Sequence, residues 1–208
     1  PELIRQKILE HAIQLASEKG VAGVSIQAVA DLAGVTKGGV FHHFSNKQKL
    51  LDAMVHEVLF RLDHAIDAYI QNDPEAIGSF TRAYIYFTLQ DDHSGIGALW
   101  SAISMTMLTD HAFNTNWLQW LHGRLARHQQ TDSGMELQIL RYAADGVWLN
   151  VFACSESMQE MLRMRQELVF RMGMVQTQSA RAAMVFERGR RPECAAPQED
   201  AYDLLPLS

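Results

Sequence analysis

The stretch SIQAVADLAGVTKGGVFHHF, residues 25–44, decides how the rest of the chain is read. Ser25 can cap a short helix whose inner face carries Ile26, Val29, Ala30 and Ala33. Gly34-Val35 permits a tight bend, and Thr36 can cap a second helix. Two short helices joined by a glycine turn form a helix–turn–helix pattern. In such motifs the second helix enters the DNA major groove, with its N-terminal residues at base edges. Gly38 and Gly39 fall on that first turn, although each glycine costs a helix about 1 kcal/mol relative to alanine. The loss is offset if bare backbone must settle against a sugar–phosphate rail. Val40 and Phe44, four apart, turn back into a small core and leave Lys37, Phe41, His42 and His43 on outward and lateral faces. Lysine and histidine can donate to phosphates or base edges, and phenylalanine can pack on sugar or a thymine methyl. The same spacing also suits plain helix packing, with Phe41 or a histidine buried.

Upstream, Ile4, Ile8, Ala12, Leu15 and Ala16 recur at helical spacing, and Gly20 follows as a stop. Downstream, Ser45-Asn46-Lys47-Gln48 reads as a capping box that opens a long helix over 46–71. That helix would be about 39 Å long, enough to connect two subdomains. Lys47 lies near its positive end, a natural phosphate clamp. Asp73-Pro74 reads as a cap followed by a first-turn proline, opening a helix near 74–90. Further helices are predicted near 95–109, 111–129, 134–154 and 158–175, the last two opened by capping boxes at Ser133 and Ser157. From Gln176 the periodicity fades, and Pro192, Pro197 and Pro206 punctuate a polar tail. Strand alternation is absent. The predicted fold is all-α, about nine helices: a head over 1–50, a helical body over 51–176, and a flexible tail over 177–208 with room for a short helix at Ala180–Arg188.

Composition agrees with a folded chain: 48% hydrophobic and 20% charged residues exclude global disorder. The net charge of -6 argues against a general nucleic-acid coat, but it is unevenly spread. Residues 1–50 carry six Lys+Arg against four Asp+Glu, and the remainder carries twelve against twenty. All five lysines stand at or before Lys49. A small basic head on an acidic body suits a local DNA contact. Cys154 and Cys194 fit no metal or redox spacing and read as reduced thiols. No signal-peptide pattern and no apolar run of roughly 18 residues is found, so a cytoplasmic protein is expected.

Residues 3–51 resemble the N-terminal domain of the TetR family of bacterial transcriptional regulators. The matching residues are Ala30, Ala33-Gly34-Val35-Thr36, Lys37-Gly38, Phe41, His43-Phe44, Lys47 and Leu50-Leu51, aligned without a gap. The resemblance implies that Thr36, Lys37, Gly39, His42 and His43 contact DNA from the recognition helix and that Lys47 contacts a phosphate; Ser25, Gln27 and Gly38 complete the candidate DNA-binding surface. Phe41 stands where the family commonly has a tyrosine whose hydroxyl touches a phosphate, so it is expected to act by packing alone. Gly39 stands where many relatives carry threonine, and base readout then leans on Lys37, His42 and Gln27.

Beyond residue 72 the resemblance is one of plan. It implies an all-helical body with an internal small-molecule cavity and a homodimer seam made by the helices near 134–154 and 158–175. Candidates to line the cavity are Tyr84, Phe87, Trp100, Ile103, Met107, Trp117, Trp120, Asp145 and Trp148, although such stripes also build any bundle core. Asp145 reads as a counter-charge for a cationic ligand, a polar interface anchor, or a carboxylate solvated at a helix edge. Gly146 would permit close approach of a second helix. No catalytic motif appears, and no cofactor or metal is expected: His111, His122 and His128 are separated by eleven and six residues and do not align as an i, i+4 pair.

The function this implies is a homodimeric repressor that releases a pseudo-palindromic operator when an apolar or cationic aromatic molecule binds the body. Its recognition helices would enter successive major grooves about 34–36 Å apart. The alternative is a DNA-binding regulator whose body is a protein-interaction module with no inducer.

Overall fold

Helix α1 (Glu2–Lys19) forms because Ile8, Ala12, Leu15 and Ala16 share one face, and all four are buried. A single 3₁₀ turn (Val21–Gly23) leads to α2 (Ile26–Ala33), whose N-terminus is closed by Ser25 Oγ accepting from the Ala28 amide at 3.1 Å. Gly34 ends α2 with φ 64°, the left-handed conformation that favours glycine. Helix α3 (Lys37–His43) starts where Thr36 Oγ1 accepts from the Gly39 amide at 3.0 Å. Val40 and Phe44 close a three-helix head core with Val29, Ala30 and Ala33. The computed structural model describes residues 2–90, 106, 110–154 and 158–189.

Helix α4 (Lys47–Gln71) carries Leu50, Leu51, Met54, Val55, Val58, Leu59, Leu62 and Ile66 on its buried face. It packs on α1 in the head and on α5 and α6 in the body, as a connecting helix should. Around it stand α5 (Ser79–Thr88), α6 (His111–Arg127), the single turn α7 (Gln129–Asp132), α8 (Met135–Cys154) and α9 (Met158–Gly189). Helix is the only regular secondary structure among the described residues. Two apolar cores result. One runs from Ile8 through the head and α4 to Phe80, Tyr84 and Phe113; the other joins Ile85 of α5 and Leu89 just past its end to α8 and α9. Helix α5 therefore serves as a wall to both.

Three boundaries differ from the sequence reading. The cap of α4 is Asn46, whose Oδ1 accepts from the Lys49 amide at 2.9 Å; Ser45 lies one residue too early. Asn and Ser cap equally well, and Asn46 has the extended backbone of a cap. Pro74 opens no helix, because Arg82 captures the carbonyls that would have propagated one. Its guanidinium bonds Ile77 O at 3.0 Å and Glu75 O, and pairs with the Asp73 carboxylate at 2.6 Å. The 73–78 segment is thus a loop, and α5 begins only after Gly78, at φ 75°. Finally, α9 continues through Gln176 to Gly189. The apolar period fades after Gln176, yet the next dozen residues contain neither proline nor glycine and include good helix formers such as Ala and Arg.

The helix predicted near 95–109, with Trp100, Ile103 and Met107, lies outside the described residues apart from Thr106, which is helical. Cys194, the three tail prolines, Ser157 and the side chain of Cys154 also lie outside them. No described helix is long and apolar enough to cross a membrane.

Candidate nucleic-acid interface and effector site

The exposed side of α3 is built by subtraction. Val40 at 0% exposure and Phe44 at 4% take the inner positions, which turns Lys37, Gly38, Phe41 and His42 outward; Gly39 and His43 are half-buried. Phe41 is 42% exposed, which removes the reading in which it simply fills the core. The His42 and His43 rings meet edge to face at 5.2 Å. Thr36 and Ser25 spend their oxygens as cap acceptors, and each hydroxyl keeps its own proton to donate. Lys47 is exposed at the first position of α4. Behind the motif, the Arg5 guanidinium sits 5.3 Å above the Phe44 ring and ties α1 to the end of α3.

The glycine pair is not required by the fold. A Cβ at Gly38 would meet only Thr36 Oγ1 at 3.8 Å, and one at Gly39 only Thr36 Oγ1 at 3.4 Å and Val35 Cβ at 3.6 Å. These are ordinary contact distances, and neither residue has a positive φ. The helix therefore bears about 1 kcal/mol per glycine with no internal compensation.

In the body, the candidate ligand residues divide into separate groups. Tyr84 is buried and donates its phenol to Asp145 Oδ1 at 2.6 Å, joining α5 to α8. Tyr84 lies 6.4 Å from Trp117, which stacks on Trp120 at 4.8 Å. Phe87 belongs elsewhere, against Tyr69 and Tyr86. Trp148 packs in the second core with α8 and α9. Burial pushes the Asp145 carboxyl above its ordinary value, although the Tyr84 hydrogen bond and the Arg141 charge pull it down. Burial, and then the neighbouring carboxylate, hold the Tyr84 phenol well above its usual range, so it is a proton donor throughout. Asp145 is thus a hydrogen-bonded, partly desolvated carboxylate, and not one solvated at a helix edge.

Two polar clusters escape the sequence reading. Arg124, 1% exposed, points its guanidinium at α4: Nε lies 2.9 Å from Asp63 Oδ1, Nη2 donates to Asp63 O at 2.8 Å, and Nη1 pairs with Asp67. Asp63 also accepts from Trp120 Nε1 at 2.9 Å and Arg127 at 3.0 Å. A groove of about 430 Å³ opens beside this cluster between α4 and α6, over Phe60 and Trp120. In the second cluster, Asp132 Oδ1 accepts from the Thr81 amide at 2.8 Å and hydroxyl at 2.6 Å, while buried Arg141 bonds Thr81 Oγ1 and Asp132 O. The Asp63/Asp67 pair, spaced i, i+4 on one helix, was the available signal for the first; nothing local marks the second.

On the far side, α8 exposes Met135, Ile139, Tyr142 and Leu149, and α9 exposes Val169, Phe170 and Met174. Gly146 continues the α8 row, and a Cβ there would meet open space. A groove of about 480 Å³ runs along α9, lined by Arg163, Met164, Gln166, Glu167 and Phe170.

A head of this construction on an all-helical body defines a helix–turn–helix regulator fold. Residues 8–54 match the family model described as bacterial regulatory proteins, tetR family, and residues 78–172 match the tetracyclin repressor-like C-terminal domain. The chain belongs to the TetR family. Among curated relatives, the HTH-type transcriptional regulator TtgR of Pseudomonas putida is 36% identical over 73 residues, 34% of this chain and 35% of its own length. The Tn10 TetC protein of Escherichia coli is 43% identical over 89 residues, 42% of this chain and 45% of its own. The matches thus span less than half the length of these relatives. A TetR-family structure from Streptomyces coelicolor A3 shares the fold at a TM-score of 0.60 and 24% identity, covering 81% of this chain and 98% of that one. The multidrug binding protein EbrR complexed with malachite green does so at 0.62 and 24%, covering 79% and 95%; it has also been solved with ethidium.

Proposed function

We propose that this protein is a cytoplasmic, homodimeric transcriptional repressor that binds a pseudo-palindromic operator through α3 and releases it when a cationic or apolar aromatic molecule enters the body. The observation that carries the DNA-binding half is the outward side of α3. It gathers Lys37, two glycines that the packing does not need, Phe41 and His42, with Lys47 at the start of the next helix. Bare backbone at Gly38 and Gly39 lets α3 approach a duplex closely, Lys37 and His42 reach base edges, and Lys47 clamps a phosphate. Ser25, Gln27, Thr36 and His43 complete the surface. The head is taken as residues 1–50 and the body as 51–176.

Supporting the dimer are the exposed apolar rows of α8 and α9, which a second copy would cover. For the effector, Asp145 offers a counter-charge held by Tyr84, whose ring lies 6.4 Å from Trp117 in the Trp117–Trp120 stack. Binding there would act on DNA through α4, which packs on both head and body; by linkage, effector and operator weaken each other equally. The test begins with selection from randomised duplexes at low salt, followed by titration of the selected duplex with and without ethidium. Wild type is expected to enrich an inverted repeat, the double variant K37E/K47E to lose at least tenfold in affinity, and ethidium to weaken the wild-type complex but not that of D145N. Failure to enrich any sequence would remove the DNA-binding reading, and an unchanged ethidium response in D145N would remove the counter-charge.

A further inference from the structure

Gln27 stands at the second position of α2, exposed, and its amide is not free to turn. Nε2 lies 2.8 Å from Asp31 Oδ1, one helical turn along. A carboxylate can only accept, so this contact fixes which end of the amide is nitrogen. One N–H is committed to Asp31, which leaves the carbonyl Oε1 and the second N–H to present outward. That residual edge, one acceptor beside one donor, complements adenine, whose N6 amino group donates and whose N7 accepts. It does not complement guanine, which offers two acceptors there.

We infer that Asp31 is a positioning residue for base specificity: it holds the Gln27 amide in the orientation that reads adenine in each operator half-site. The inference rests on the DNA-binding reading above. It also accounts for a carboxylate on the exposed flank of a helix that is meant to approach phosphates. Asp31 is among only four acidic residues in the first fifty, and a bare negative charge there would repel the duplex. As an acceptor for Gln27 its charge is partly spent on the amide. No cation of the head is paired with it within salt-bridge range among the described residues.

Binding-site selection tests this with four proteins: wild type, Q27A, D31N and D31E. Comparison with Q27A identifies the operator position that Gln27 reads. Wild type should favour adenine there by about tenfold over guanine. In D31N the side chain at 31 is an amide that can donate as well as accept, so Gln27 can flip, and the preference should fall to within about threefold. D31E restores an obligate acceptor and should restore the preference. The D31N variant should also bind all duplexes somewhat more tightly through the removed charge, an effect uniform across sequences and separate from the base preference. An unchanged adenine preference in D31N, or guanine selected at that position by wild type, would overturn the inference while leaving DNA binding intact. If wild type enriches no sequence, the DNA-binding reading itself fails, and this inference with it.

Discussion

Replacing Arg124 by methionine keeps most of the side-chain length while deleting the charge that binds α6 to α4. The guanidinium is 1% exposed and engages Asp63 twice, through Nε at 2.9 Å and through Nη2 to the backbone carbonyl at 2.8 Å, and Asp67 once. Removing one member of a fully buried pair costs about 3–5 kcal/mol, because the orphaned charge stays dry. Here the orphans are better placed. The Asp63 and Asp67 side chains are 26% and 43% exposed, and Arg127 still pairs with Asp63 at 3.0 Å. Water and Arg127 recover part of the loss, so roughly 2 kcal/mol is expected. For a chain of this size that lowers Tm by about 4–8 °C. R124K should lose nearly as much, since an ammonium cannot serve acceptors spread over one turn of α4 in a planar fork. Thermal and urea unfolding measure the single variants, and the cycle R124M, D67N, R124M/D67N isolates the coupling. A Tm for R124M within 1 °C of wild type, or a coupling below about 0.5 kcal/mol, would refute the clamp. If the clamp also carries the effector signal, ethidium should lose its hold on operator affinity in R124M even where the free protein remains folded.

Gly78→Ala should destabilise by about 1–3 kcal/mol, because φ is 75° and the new Cβ would lie 2.8 Å from Met172 Cε and 3.3 Å from Leu137 Cδ2; a urea midpoint equal to wild type would contradict it. His128, stacked on Phe80 at 5.3 Å, is held below its ordinary pKa chiefly by burial, with Arg124 and Arg127 adding to the effect and Asp132 and Asp67 opposing it. The folded state therefore binds that proton less readily than the unfolded chain. Its contribution is complete above about pH 6.5 and is lost as pH falls through and below that value. Melting curves at pH 7 and pH 5 should show a smaller loss in H128Q than in wild type, and equal losses would exclude His128 as the source.

How much was legible in the chain follows from the range of each signal. The helix–turn–helix could be read because Ser25 and Thr36 accept from amides three residues on, and the Gly34 amide donates to carbonyls three and four residues back. Val40 and Phe44 fell inward on period alone. Pro74 misled because its local meaning, a first-turn residue, was overridden by Arg82, which competes for the carbonyls of the same segment. The clamp at Arg124 and the bond from Tyr84 to Asp145 join residues roughly sixty apart. No periodicity announces such a pairing; it exists only once α4, α5, α6 and α8 have packed. The length of α9 was hidden for another reason, since the apolar stripe fades before the helix does, and only backbone propensity remains to extend it.

The apolar core that begins at Ile8 continues along α4 without a break to Phe113. The recognisable motif ends near residue 50, but Leu50, Leu51, Met54 and Val55 are all buried in that same core. A chimera that transplants this reading head onto another sensor body should therefore be spliced well inside α4. A junction at the end of the motif would cut through shared packing and leave both halves with raw oily faces. Exchange of heads among such proteins, by engineering or by recombination, is accordingly constrained to bring part of the connecting rod along.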